Sequence, residues 1–393
     1  MTALLVDLLE RARPIGRHAD GGWTRLGFSP EETALGDLVI AEASRIGLDT
    51  SRDRAQNLWA WLGAPGPDAL VLGSHLDSVP RGGELDGPLG VFTAIAALDA
   101  LLARGWRPRR PLAVVAFRDE EGGRFGRACL GSRLLAGELA PADLATLRDG
   151  HGRSFAEVLR DLELEPARVG PDPQRIAAIG TYVELHIEQG RQLAPLGAPV
   201  GIATGIWPHA RALATLPGEA NHAGTTPLDD RRDPVVTLAR LVLATRDQAA
   251  LRGALATIGR IDVDPNAPNA VAGSAAAWLD VRAPQATILD QLLDDLARLV
   301  VELGGTFDLR SMTPATIFDT QLASELSALL GGAPRIATGA GHDAGILADH
   351  GVRAGMLFVR NPTGVSHAPG EQATPADLAA GQHALERVIE ALA

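Results

Sequence analysis

Gly73-Ser-His-Leu-Asp-Ser-Val-Pro-Arg-Gly-Gly-Glu-Leu-Asp-Gly-Pro-Leu-Gly90 is the stretch on which the reading of the fold turns. It follows Leu70-Val-Leu72, a short apolar run of the kind that forms a strand buried on both faces. The stretch puts His75, Asp77 and Asp86 in a glycine-rich loop at that strand's C-terminal end. A neutral imidazole nitrogen, an anionic oxygen and little steric bulk are what a metal site requires. Strand C-terminal ends are where open α/β sheets place their ligands. The segment from Pro88 to Leu102 is rich in small residues and predicts a helix able to lie close on a sheet.

Three further loops of this kind follow. Leu112-Ala-Val-Val-Ala-Phe117 predicts a second buried strand, and its loop carries Glu120 and Glu121. Residues Thr181 to Glu188 alternate with period two and predict a third strand, with His186 near its end. Met356 to Arg360 predict a fourth, followed by a loop with His367. Loops after parallel strands converge at one sheet edge. Three histidines and two or three carboxylates exceed the needs of one tetrahedral site, whereas two metals sharing a carboxylate would use them all.

Between these parts the pattern changes. Strands are expected at Ala210–Leu216, Ala256–Val263, Ala275–Arg282 and Thr306–Arg310, with helices at Pro234–Leu251 and Thr287–Leu303. The order β-α-β-β-α-β is the split βαβ, or ferredoxin-like, unit. The expected fold is α/β: a doubly wound, mixed but mostly parallel sheet with this unit inserted. The expected domains are residues 1–206 with 313–393, binding metal and carrying catalysis, and residues 207–312, serving dimerisation.

Bulk properties narrow the function. A chain of 393 residues suggests two domains, and 46% hydrophobic with 21% charged residues is ordinary for a soluble globular protein. A formal charge of −12 without a basic cluster argues against a nucleic-acid partner. No run of apolar residues is long enough to span a membrane. The N-terminus carries acids within its apolar stretch and reads as an amphipathic helix, not a signal peptide. The single cysteine, Cys129, suits a reducing cytoplasm and is expected to be buried and inert.

Taken together, six segments resemble the M20 superfamily of dinuclear-metal amidohydrolases, in its allantoate amidohydrolase and N-carbamoyl-L-amino acid hydrolase (hydantoinase/carbamoylase) branch. They are Gly73-Ser-His-Leu-Asp-Ser-Val with Asp86-Gly, Asp119-Glu-Glu-Gly, Leu185-His-Ile-Glu-Gln-Gly, Asn221-His-Ala-Gly-Thr-Thr-Pro, Gly339-Ala-Gly-His-Asp-Ala and Ser366-His-Ala-Pro-Gly-Glu. The resemblance implies that His75, Asp86 and His186 hold one metal, while Asp86, Glu121 and His367 hold the other. It implies that Asp77 fixes the His75 tautomer and that Glu120 is the general base toward the attacking water. It gives His222 an oxyanion-stabilising role in the partner subunit's site, hence a homodimer. Asn269 and Arg282 would bind the substrate carboxylate, with Gln189 and Gly341 in the same pocket. His342 and Asp343 lie beside that pocket with a structural or a contact role, and His209 stays unassigned.

The function implied is metal-dependent hydrolysis of the ureido C–N bond of a small carboxylate, with allantoate first and an N-carbamoyl-L-amino acid as the alternative. A dipeptidase or aminoacylase of the superfamily comes next. A metal-dependent binding protein without catalysis is the remaining reading, and the intact Glu120 argues against it. The cofactors implied are two divalent ions, zinc or manganese, with cobalt and nickel also compatible with histidine and carboxylate ligands.

Overall fold

Leu70-Val-Leu72 lies in the strand Ala69–His75, near the centre of a nine-stranded sheet, in a computed structural model that describes residues 1–393. From one edge the strands are Asp49–Arg52, Leu58–Leu62, Leu112–Phe117, Ala69–His75, Ile179–Ile187, Arg353–Val359, Val200–Ile206 and Thr316–Ile317; Arg335–Thr338 also pairs with Val200–Ile206. The four strands from Leu112–Phe117 to Arg353–Val359 are mutually parallel. The strands flanking them pair antiparallel. The sheet is therefore mixed with a parallel centre. That centre aligns the C-terminal ends of the strands carrying His75, the Glu120–Glu121 loop, His186 and the His367 loop.

Parallel strands covered by helices on both faces are apolar throughout. Leu70, Leu72, Leu112, Val114, Val183, Leu185 and Leu357 share one core with the helices Ala3–Ala12, Pro30–Arg45, Pro88–Ala103 and Pro375–Leu392. The helix Pro88–Ala103 approaches so closely that a Cβ on Gly90 would stand 2.1 Å from the Leu185 carbonyl oxygen. Small residues on that helix are thus a packing requirement. The opposite face meets the helix Asp343–Asp349, which also contacts the helix Leu130–Ala136.

Two readings are refined here. The period-two alternation of residues 181–188 does not separate core from solvent, because every residue from Thr181 to Glu188 is buried. It separates two buried layers: Val183, Leu185 and Ile187 face the apolar core, and Tyr182, Glu184 and His186 face a polar one. His75 is the last residue of its strand, not a loop residue, while His186 lies near its strand's end as expected. Residues 137–173 form short helices, and Phe155, Val158 and Leu159 among them are buried.

The chain divides into two units, residues 1–205 with 317–393 and residues 206–316. The second holds the strands His209–Pro217, Leu255–Asp264, Ser274–Arg282 and Thr306–Thr313, with the helices Pro234–Leu251 and Ala286–Glu302. The strand order is Thr306–Thr313, His209–Pro217, Ser274–Arg282, Leu255–Asp264, and all pairs are antiparallel. Ala210, Ala212, Ala214, Ala277 and Leu279 alternate with more exposed residues and pack with both helices in one core. Such a sheet has one covered face. Trp278 lies off that core, with the Arg260 and Arg310 guanidinium groups each 5.6 Å from its ring. No helix of the chain is long and apolar enough to cross a membrane.

Candidate metal centre

Strand register brings the first donors together. His75 is the last residue of its strand, beside Phe117 on the next one. His186 is the penultimate residue of Ile179–Ile187, beside Phe358. Both imidazoles are buried, with ring centres 5.5 Å apart. The His186 Nδ1 donates to the Ile187 carbonyl at 2.8 Å, and the His75 Nδ1 to the Asp77 carbonyl at 3.1 Å. A carbonyl can only accept, so each Nδ1 carries a proton, and in the neutral ring each Nε2 presents a lone pair. The two Nε2 atoms are 3.3 Å apart, and Asp86 Oδ1 lies 3.2 Å from His186 Nε2 and 3.8 Å from His75 Nε2. Three electron-rich atoms converging in a buried place need a positive charge among them.

Asp86 faces a second group with its other oxygen. Its Oδ2 lies 3.5 Å from His367 Nε2, which is 3.2 Å from Glu121 Oε2. Two donor groups, His75–Asp86–His186 and Asp86–Glu121–His367, therefore meet at one carboxylate, each with its ligand atoms within 4.8 Å of one another. Imidazole and carboxylate donors of this kind fit divalent cations.

Electrostatics point the same way. Burial pushes the Glu120 and Glu121 carboxyls well above their usual range, and neighbouring acids push them further. Burial opposes ionisation of Asp86 too, but His186, His75 and His367 outweigh it and hold its pKa down. Burial alone would lower the His75 pKa, yet Glu120, Asp77 and Asp86 raise it well above normal. So many acids crowded together in a buried site are relieved by cations bound between them.

The Glu120 side chain coordinates nothing in either group. Its Oε2 lies 3.9 Å from His75 Nε2, and the Cys129 thiol donates to its Oε1 at 3.6 Å. Asp77 sits under this loop. Its carboxylate accepts the backbone N–H groups of Glu120 and Glu121, both at 3.0 Å. Asp77 Oδ1 is 3.4 Å from His75 Nδ1, so the tautomer is set by the Asp77 main chain more than by its side chain. Asp119, which opens the loop, has φ +52°, and His367 has φ +54°. Left-handed backbone at non-glycine residues costs energy and persists where the surroundings enforce it.

A family model for peptidase family M20/M25/M40 matches residues 71–391. The chain belongs to that family. It is 37% identical to an N-carbamoyl-L-amino acid amidohydrolase of Geobacillus stearothermophilus, over 96% of this chain and 95% of the relative. It is 33% identical to an allantoate amidohydrolase of Escherichia coli, with the same coverage. Among solved structures, AtUAH in complex with (S)-hydroxyglycine superimposes with a TM-score of 0.85 at 26% identity, over 99% of this chain and 96% of that one.

The remaining expected site residues divide by unit. In the larger unit, Gln189 lies among the metal donors: its amide donates to Asp86 Oδ2 at 3.0 Å and lies 3.2 Å from His367 Nε2. Gly341 is exposed, with open space where a Cβ would be. His342 is buried 4.6 Å from the His186 ring, and neither of its nitrogens has a hydrogen-bond partner. In the smaller unit, His222 and Asn269 are exposed. They are neighbours, because Asn221–His222 pairs with Ala270–Val271 and the Asn269 carbonyl accepts from Ala223 N–H at 3.0 Å. Arg282 pairs across strands with His209, and its fork grips Asp280 through Nε at 2.7 Å and Nη2 at 3.1 Å. The clamp expected to hold a substrate carboxylate thus already holds a carboxylate.

Behind the donors lies a layer of buried acids in which Asp343 was named from sequence and Glu184 was missed. Glu184 accepts from Ser74 Oγ at 2.9 Å and from Ala344 N–H at 3.0 Å, tying two strands to the helix Asp343–Asp349. Asp343 accepts from Ser132 Oγ at 2.5 Å. The signal was present, since an acid within an otherwise apolar buried strand must have partners.

Proposed function

We propose that this enzyme uses two divalent cations to hydrolyse the ureido C–N bond of a small carboxylate, giving an amine with ammonia and carbon dioxide. The observation that carries this reading is Asp86, with one oxygen toward His75 and His186 and the other toward His367. His75, Asp86 and His186 would hold one ion, and Asp86, Glu121 and His367 the other. Bound there, such ions polarise a carbonyl and lower the pKa of water.

The chain's own residues do the rest. Glu120, beside the donors but not among them, takes the proton of the attacking water and passes it to the leaving nitrogen. Asp77 holds the Glu120–Glu121 main chain in place. His222 supplies a hydrogen bond to the oxyanion of the partner subunit's site, which makes the enzyme a homodimer through the 206–316 unit. Its exposure on a short two-stranded arm supports that role. Arg282 and Asn269 bind the substrate carboxylate, and Arg282 exchanges or shares Asp280 to do so. We place the enzyme in the cytoplasm, where its one buried thiol stays reduced.

Allantoate and N-carbamoyl-L-amino acids both carry a ureido nitrogen on the carbon next to a carboxylate. Allantoate is the first choice from sequence, and the 37% identity to an N-carbamoyl-L-amino acid amidohydrolase favours the second. Ammonia release from both substrates, beside amine release from dipeptides, tests the proposal. Ammonia from at least one ureido substrate and negligible dipeptide cleavage is expected. Dipeptide cleavage without ammonia release would overturn it.

A further inference from the structure

The motif Ser366-His-Ala-Pro-Gly-Glu371 contributes His367 to the donor groups, but the reading above gives its last residue no task. Glu371 is 7% exposed and lies on the larger unit with every donor. Its Oε1 accepts two main-chain N–H groups, from Leu85 at 3.2 Å and from Asp86 at 3.0 Å. Its Oε2 lies 3.4 Å from Ser366 Oγ, and that hydroxyl is also 3.4 Å from Asp86 Oδ2. One buried carboxylate therefore ties the loop that presents Asp86 to the loop that presents His367.

Gly83 is shaped to this contact. A Cβ there would stand 2.1 Å from Glu371 Oε1 and 2.7 Å from its Cβ. Glycine at position 83 lets the carboxylate reach the Leu85–Asp86 main chain, which no larger residue would permit without moving it.

We infer that Glu371 is a positioning residue that fixes the shared ligand Asp86 and the His367 loop for metal binding. This rests on the two-ion reading. A carboxylate that swings away from one cation loses its bridging geometry, and the two consecutive main-chain bonds at Leu85 and Asp86, just before the Asp86 side chain, resist that. Groups that orient metal ligands are typically worth about 10–100-fold in metal affinity.

The test is zinc affinity by chelator competition on the full-length protein, with the melting temperature of each metal-free variant measured beside it. Glu371→Ala is expected to weaken zinc about 10–100-fold. Glu371→Gln keeps an acceptor oxygen for the two N–H groups and should fall between Ala and the parent protein. Gly83→Ala leaves the carboxylate in the chain but displaces it, and should weaken zinc as well. If the two act through one contact, Gly83→Ala should cost little more in the Glu371→Ala background, because residues in direct contact are not additive. Should Glu371→Ala fail to fold, the Gln and Gly83 variants carry the test. Unchanged zinc affinity in folded Glu371→Ala or, failing that variant, in Gly83→Ala overturns the inference, as do fully additive losses. A parent protein that binds only one zinc sinks the two-ion reading instead, and this ion should still be weakened by Glu371→Ala.

Discussion

Two regions carry the candidate residues, and they differ in how finished they are. In the larger unit, His75, Asp86, Glu120 and His186 are each at most 5% exposed, and their partners converge from four segments of chain. In the smaller unit, His222 and Asn269 are exposed, and Arg282 is occupied by its own neighbour Asp280. A region whose geometry is complete within one unit can hold ions without help. His367, 47% exposed, is the open side of the larger unit's group, whereas in the smaller unit the exposed His222 ring accepts only a local bond, from Gly224 N–H at 3.0 Å. On the proposed reading the larger unit would set metal binding and proton transfer, and the smaller one substrate placement.

The largest expected effect falls in the larger unit. Glu120→Gln keeps size and hydrogen bonding but cannot take a proton. Steady-state kinetics should show kcat down by about 10²–10⁴ with metal content unchanged. Near-full kcat would remove Glu120 from the chemistry.

His222→Ala tests the other side of the comparison. It should lower kcat by about 10²–10³, the scale of one lost oxyanion donor, without loss of metal. Mixing inactive His222→Ala and Glu120→Gln proteins sharpens this. Hybrid dimers hold one site with both residues intact if His222 acts across the subunits, so activity should return. No recovery after proven subunit exchange would confine His222 to its own chain.

A smaller effect is expected at the clamp. Arg282→Lys keeps charge but loses the fork, and should lower kcat/KM by roughly 10–100-fold for a carboxylate substrate. The same variant should leave an uncharged amide analogue nearly unaffected. Equal losses on both compounds would leave Arg282 only its ion pair with Asp280 on the same strand.

The smallest effect concerns pH. In the metal-free protein the His75 and His186 pKa values are raised, mainly by the surrounding acids acting against burial. Protons on these rings compete with metal, so zinc affinity should begin to fall at a pH above the ordinary imidazole value of about 6.5 as pH is lowered. Zinc addition at neutral pH should accordingly release protons into a weakly buffered solution. Absence of release would show that the rings are already neutral.

In both regions the short-range signals are legible in the sequence. Gly-Ser-His after an apolar run, and Asp-Glu-Glu after another, are short-range signals, and a parallel sheet brings such loops to one edge whatever else the chain does. The small unit's order of elements was equally readable, because half-buried strands alternate cleanly. The long-range partners were not readable. Glu371 finds Asp86 across 285 positions, and Ser74 finds Glu184 across 110. Asp280 was within reach, since residues two apart share a strand face, but one residue type in a strand does not announce whether its carboxylate or a ligand's will fill a guanidinium fork.

The most direct test of the shared carboxylate is a count of tightly bound zinc in three proteins: the parent chain, Glu121→Gln and Asp86→Ala. The two-ion reading predicts about two equivalents, about one, and close to none. Asp86→Ala that still binds one equivalent with parental affinity would contradict a site in which both ions depend on Asp86.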